Sequence, residues 1–434
     1  MCSLLYTWRV MNEFDCIIVG TGPAGLGAAF ELIGRNPSIK VLMLDKENFS
    51  TGGLRNDCKM NFTFPIGFPE DNWRESEADS YLEKVTAMLN PPIKEKHNLE
   101  TYQKRAEKLG CRLINIRQSH LGTDGGLELI KELTSKLRSS GVEISLGEEV
   151  LDLEADKKMI ITDKREIFYR DIIFAPGRKG FGFLQMIMKK IDVPFLDHIV
   201  DIGVRIETKE SSYPIVRDYY DPKFLFPQGV RTFCTNSGAA HVVKEKYSTR
   251  DGQTFYSVNG HAFSDRKKQN GLVNFAMLKT VRLTEPLASG QGFVEMLGLQ
   301  SMLLGGGQPI MQRVGDFRMG TRSKVDSFNN DLYDFEPTLK GCTPGDISLA
   351  MPGRILRAIW KSMKELDTII PGVLHPSTIM YYPEIKLYAN KPAFLDENFK
   401  VADHIYMIGD GAGTSRGITG AWASGIRAAE GIAG

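Results

Sequence analysis

Apolar positions along this chain fall into runs and alternations that predict an α/β protein. Cys16-Ile17-Ile18-Val19 and Val41-Leu42-Met43-Leu44 are short, continuous apolar runs, the pattern of strands buried on both faces. The alanine-rich stretch between them, through Ala28-Ala29-Phe30, reads as a helix. Polar, amphipathic spacing predicts helices over Ser76 to Leu89 and Leu99 to Leu109, and a strand over Cys111 to Ile116. A helix over Leu127 to Leu137 follows, with Thr123 or Asp124 as its cap. Val142 to Leu146, Val150 to Glu154, Met159 to Thr162, Ile167 to Tyr169 and Ile172 to Phe174 then read as strands joined by charged turns, a meander attached to a parallel sheet. Near Asp192 the character changes. From Val200 to about Ala389 come strands, aromatics and irregular loops, with a helix over Pro352 to Leu366. The chain closes with a strand ending at Ile408 and a helix of small residues.

The turn after the first strand carries candidate chemistry. Gly20, Gly22 and Gly25 have G-x-G-x-x-G spacing, with Pro23 and Ala24 between them. In that pattern the first glycine makes the tight turn, the second lets a pyrophosphate approach the backbone, and the third lets helix and strand pack closely. The helix N-terminus offers free N–H groups to phosphate. Asp45 ends the second strand, where a carboxylate can accept hydrogen bonds from a ribose, and Lys46 follows it. Gly52 and Gly53 allow a further close backbone approach to a ligand. Ala175-Pro176-Gly177 ends the last meander strand with another small-residue turn. At the far end, Gly409-Asp410 and then Gly417-Ile418 form a second corner suited to a phosphate or polyol.

Composition narrows the class. The chain has 434 residues, room for two or three domains, and its net charge of +1 gives no support for a nucleic-acid surface. Cys2, Cys16, Cys58, Cys111, Cys234 and Cys342 form neither a C-x-x-C pair nor a zinc spacing, which suits reduced thiols in a cytoplasm. No metal constellation emerges from the seven histidines. No apolar run is long enough to span a membrane, and the apolar stretch in residues 1–10 is too short for a signal peptide. Met11 offers an alternative start, so residues 1–10 read as a peripheral extension.

Two halves of one cofactor site at opposite ends of a chain resemble the pattern of two-domain flavoproteins. The opening motif is similar to their FAD fingerprint, with Asp45 where Glu is more usual. Gly409-Asp410 resembles their second FAD motif, Val150 stands where they contact adenine with backbone atoms, and Ala175-Pro176-Gly177 resembles their Ala-Thr-Gly turn with Pro in place of Thr. The ordered set His120-Leu121-Gly122-Thr123-Asp124, Arg231-Thr232-Phe233-Cys234, Asn259-Gly260-His261, Gln312-Arg313-Val314-Gly315-Asp316-Phe317 and Gly409-Asp410-Gly411-Ala412-Gly413 resembles the FAD-dependent, or NAD(FAD)-utilising, dehydrogenases. Their Cys-x-Cys-Pro-Gly-Gly-like segment appears here as Cys234-Thr235-Asn236-Ser237-Gly238-Ala239, without the second thiol. The resemblance implies a Rossmann-like FAD-binding domain from residues 11–195 and 390–434, with an α+β substrate domain of residues 196–389 inserted.

FAD would supply the hydride chemistry, and the chain its orientation and electrostatics. The polar candidates for catalysis are His261, His120, Arg231 and Cys234. A histidine can act as general acid or base near neutral pH, although structural histidines are commoner. Arg231 can orient an anionic substrate or sit in a structural ion pair. Cys234 can approach a flavin or be an inert thiol. The expected function is hydride transfer between FAD and a small organic substrate, with an external donor or acceptor such as NAD(P)H or ferredoxin. The alternatives are a flavoprotein that modifies a tRNA or membrane lipid, and a non-catalytic flavin-binding sensor or assembly protein.

Overall fold

The computed structural model describes residues 13–48, 53–56, 58–249, 251–262, 269–284, 286, 289–328, 335–387 and 390–434. These form two compact units. The first takes the described residues within Met1–Ile93, Ile116–Asp197 and Tyr388–Gly434, and the second those within Lys94–Asn115 and His198–Leu387. The extension expected at residues 1–10 lies outside the described residues. The segment Lys94–Asn115, counted above with the nucleotide-binding part, clusters with the second unit.

The first unit is built on a sheet of β1 (Glu13–Val19), β2 (Val41–Asp45), β3 (Glu143–Leu146), β4 (Val150–Glu154), β5 (Met159–Thr162), β6 (Glu166–Phe174), β7 (Lys400–Ala402) and β8 (Ile405–Met407). Its main order is β7-β8-β6-β1-β2-β3, with β4 and β5 attached to β6 as an antiparallel meander. The pairs β1–β2, β1–β6, β2–β3 and β6–β8 are parallel. This is a Rossmann-like α/β arrangement: the runs of apolar residues predict its α/β class, and the resemblance to two-domain flavoproteins implies its Rossmann-like form. Cys16, Ile18, Val41, Met43 and Ile173 enter one core, and Ile17, Val19, Leu42, Leu44, Ile172 and Phe174 the other. Strands with both faces buried must be apolar throughout, which is why their sequence shows no alternation.

Helix α1 (Pro23–Arg35) follows β1, α2 (Gly122–Ser139) precedes β3, and α3 (Gly417–Ala433) closes the chain. The α2 helix starts at Gly122 with Leu121 as its cap residue, so Thr123 and Asp124 stand inside the first turn, not at the cap. The expected strands Ile167 to Tyr169 and Ile172 to Phe174 are one strand, since Arg170-Asp171 remain in extended pairing within it. Helices α1 and α3 touch through backbone. A Cβ on Gly27 would lie 2.4 Å from the Trp422 carbonyl oxygen, and one on Gly425 2.1 Å from that of Ala24.

The second unit holds an eight-stranded sheet in the order Thr343–Pro344, Ile310–Arg313, Ile379–Leu387, Ile199–Lys209, Leu272–Arg282, Val230–Asn236, Lys223–Phe226, Arg112–Ile114. All but the first pairing are antiparallel. Alternate residues Val200, Ile202, Val204 and Ile206 share a core with the helices Gly290–Leu304 and Gly353–Ile369. The residues between them include Asp201, Arg205 and Glu207, all fully buried and paired.

Candidate cofactor site

Four parallel strand ends lie side by side in the first unit. The Gly20 N–H donates to Leu44 O at 2.7 Å, Ala175 N–H to Val19 O at 2.8 Å, and Ile408 N–H to Phe174 O at 2.9 Å. This row of bonds carries the chain from the end of β2, across β1 and β6, to the end of β8. Neighbouring strands are about 4.8 Å apart, so Asp45 and Gly409 sit on one sheet edge about 14 Å from each other. The order of strands reverses at β1, and open α/β sheets bind ligands at the carboxyl ends of strands beside such a point.

The glycines of the first turn answer to separate constraints. Gly20 has φ +114°, and a Cβ there would lie 2.3 Å from Ala175 O. A Cβ on Gly25 would lie 2.0 Å from Gly20 O. Gly22 is different. Its φ of −75° and ψ of −176° suit any residue, and a Cβ there would have nothing within 4 Å. Gly22 caps α1, Pro23 opens it, and the N–H groups of its first turn face no intrahelical acceptor. Ala24 is buried under this turn.

Asp45 closes the side towards β2. Its Oδ2 accepts from the Thr21 N–H at 2.9 Å and the Thr21 hydroxyl at 2.6 Å, and its Oδ1 from the Glu47 N–H at 3.0 Å. The Glu148 N–H donates to Asp45 O at 3.0 Å, which lays residues 147–150 along the strand end and starts β4 at Val150. Lys46 is exposed and pairs with Glu149 at 3.2 Å. Glu148 is buried. Burial opposes its charge, but hydrogen bonds from Arg165, Ser145 and Thr162 outweigh it and hold the carboxyl below its ordinary range.

The far corner is built by residues 409–417. A Cβ on Gly409 would lie 3.1 Å from that of Ala24, so this corner abuts the first turn of α1. The Gly409 N–H donates to Thr414 Oγ1 at 2.8 Å and Ser424 Oγ at 3.2 Å. Asp410 accepts from the Ser415 hydroxyl at 2.9 Å and the Gly417 N–H at 3.2 Å, and Arg178 stands 3.9 Å from it. Trp73 donates from its indole to Thr414 O at 2.6 Å, and Arg427, stacked on Trp73 at 4.8 Å, holds both to α3. Gly177 and Gly417 have φ of +64° and +77°, and a Cβ on either would have nothing within 4 Å. Gly53 lies against the Ile418 side chain at the start of α3. Gly52 lies outside the described residues.

No protein-family model matches the chain, and no curated protein matches it. Among solved structures, L-proline dehydrogenase from P. horikoshii aligns at 13% identity and a TM-score of 0.42, covering 96% of this chain and 93% of that one. The p-nitrophenol 4-monooxygenase of Pseudomonas putida DLL-E4 aligns at 13% identity and 0.40, covering 98% and 79%. Glycerol-3-phosphate dehydrogenase from Bacillus halodurans, complexed with FAD, aligns at 12% identity and 0.32, covering 66% and 51%. Matches at this level carry neither a family nor a reaction across to this chain.

Of the candidate catalytic residues, His120 is in the first unit. Its strand, Gln118–His120, pairs with Lys59–Asn61, and the Asn61 carbonyl accepts from the Thr419 hydroxyl in the first turn of α3 at 2.5 Å. The other three are in the second unit. His261 faces His241 across the hairpin of Ala240–Ser248 and Thr254–Ala262. Arg231 is in an ion pair with buried Asp201 and stacks on Phe233 at 4.9 Å. Cys234 has φ +50°, and its carbonyl accepts from Arg205 at 3.0 Å.

Several residues that organise these places were not singled out by sequence reasoning. Arg205 and Glu384 form a fully buried bidentate pair with two 2.7 Å bonds, and Arg205 also donates to Asn274 at 2.8 Å. A Cβ on Gly260 would lie 2.1 Å from Arg205 Nη1, so the glycine of Asn259-Gly260-His261 makes room for this cluster. Thr21 and Arg178, the partners of Asp45 and Asp410, stand inside motifs whose glycines drew the attention.

Proposed function

We propose that the first unit binds FAD and that the protein is a FAD-dependent oxidoreductase acting on a small organic substrate. Gly22 carries this reading: neither its backbone angles nor any neighbouring atom of the chain requires glycine there, whereas a pyrophosphate approaching the N-terminus of α1 does. Asp45 would hold the adenosine ribose and Val150 the adenine, with Lys46 beside them. Gly20, Pro23, Ala24 and Gly25 would shape the pyrophosphate turn. Ala175, Gly177, Gly409 and Asp410 would take the ribityl region, and Gly53, Gly417 and Ile418 the ring end. Bound FAD would supply two-electron chemistry.

The dehydrogenase reading, a subgroup within the two-domain flavoproteins, rests on the residue motifs quoted above. We read the second unit as the substrate domain, with Arg231, Cys234 and His261 as its polar candidates, and an outside molecule such as NAD(P)H or ferredoxin as the electron partner. His120 is the candidate proton-transfer group of the first unit, because its strand is tied through Asn61 to the start of α3.

The deciding experiment is the absorbance of purified protein and the identity of what heat releases from it. Yellow protein releasing FAD supports the reading, and protein that releases NAD and no flavin refutes it. Replacing His120 with Ala is expected to slow flavin reduction or reoxidation by about a hundredfold and to remove one limb of its pH profile. An unchanged profile returns His120 to a structural role.

A further inference from the structure

The outer surface of the second unit's helical layer joins exposed apolar side chains to a stripe of cations, and the flavin site uses neither. On the Gly353–Ile369 helix, Arg354, Arg357, Lys361 and Lys364 are all exposed. Their spacing of three, four and three residues places them in one stripe. The opposite side of that helix, Ile355, Ile359, Met363 and Leu366, is in the core. Trp360 borders the stripe, and its ring lies 4.8 Å from that of Phe317. This contact brings Arg318, Met319, Arg322 and Lys324 alongside, all exposed.

Hydrogen bonds carry the surface further. The Ser323 N–H donates to Gly345 O at 3.0 Å, next to the turn that bears Leu349. The Thr343 hydroxyl donates to Gly305 O at 2.6 Å, at the C-terminal end of the Gly290–Leu304 helix. Leu303 there is 82% exposed, Met319 78% and Leu349 66%. With Met296, Leu304 and Val325, these segments carry six of the twelve large apolar side chains exposed among the described residues. Asp326 is an exposed acid on it, Asp316 and Asp346 are half-buried, and Glu365 lies 3.9 Å from Lys361.

Single exposed leucines are ordinary, but a group of them set among cations marks an interaction surface. We propose that this layer docks the protein on an anionic lipid bilayer, with Leu303, Met319 and Leu349 entering the interface and the basic stripe over the headgroups. Charge selects the occupant. Two copies meeting through this face would set their cations against each other, and a nucleic acid would leave the leucines in water. Among the described residues no helix is long and apolar enough to cross a membrane, so the association is with the surface.

The test is sedimentation of the full chain with phosphatidylcholine vesicles, with and without phosphatidylglycerol. Binding to the anionic vesicles alone, weakened by salt, is expected. Each Lys or Arg near such a surface contributes about fivefold, so the triple change Arg357→Gln, Lys361→Gln, Lys364→Gln should weaken binding about a hundredfold. Leu303→Asp should weaken it without altering flavin absorbance or the thermal unfolding midpoint. Failure to bind anionic vesicles at low salt overturns the proposal. So does equal binding by correctly folded variants, a dimer that Leu303→Asp dissociates, or RNA binding that the triple change abolishes while vesicles stay unbound. None of these outcomes depends on the flavin.

Discussion

Gly22 and Gly25 are three residues apart and answer to different demands. A side chain at Gly25 must displace the Gly20 carbonyl, only 2.0 Å from where its Cβ would sit. Gly25→Val is therefore expected to destabilise the fold by about 1–3 kcal/mol or more, seen as a lowered unfolding midpoint without any ligand. Gly22→Val should lower that midpoint by less, by no more than the loss of a good N-cap (~1 kcal/mol), because the space its side chain enters is open. It should instead cost at least tenfold (~1.4 kcal/mol) in FAD retention, measured by equilibrium titration of stripped protein. A Gly22 variant that retains FAD fully removes the main support for the cofactor assignment. Asp45 illustrates a limit of motif reasoning. Its spacing shows a carboxylate at the strand end, but not that Thr21 already donates twice to it.

Among elements, β1, α1 and β2 were legible because short-range rules write them: an apolar run, glycines at fixed offsets, an alanine-rich helix and a terminal acid. The second unit's sheet was less legible. Asp201, Arg205 and Glu207 alternate with apolar residues on the Ile199–Lys209 strand, a pattern that ordinarily means one face in water. Here the polar face is buried, and its partners Glu384, Arg231 and Tyr381 come from far along the chain. The meander has its own charged anchor in Glu148, which ties β3, β5 and the turn after Thr162 together. Its carboxyl is held below the ordinary glutamate value of 4.5. The resulting stability is present above that value and is lost as pH falls through the depressed one. Glu148→Gln should therefore unfold more easily than wild type at neutral pH, with the gap closing as the medium is acidified below 4.5. Denaturant titrations across that range measure it, and a gap independent of pH contradicts it.

At the scale of the whole molecule, the expected domain bounds and the two compact units differ at Lys94–Asn115, which belongs to the second unit. The cause is a long-range pairing: Arg112–Ile114 adds to the edge of the second sheet beside Lys223–Phe226. No local pattern encodes that choice, since an apolar triplet suits either sheet. The candidate site is split in the same manner. Its glycines and acids are visible at both chain ends, while the bonds that join β2, β1, β6 and β8 into one row appear only once the chain is folded.

That row also sets an order in time. During synthesis β6 emerges more than 200 residues before β8, so its edge over Ile172–Phe174 waits without its parallel neighbour. The nascent chain can complete β1 and α1 early, but it lacks the Gly409–Gly417 corner until those residues leave the ribosome. A chain stopped before Lys400 is accordingly expected to carry no flavin, read as the absence of yellow colour from ribosome-bound or truncated product. Cofactor capture would then wait until residues 409–417 have emerged and folded against the first turn of α1.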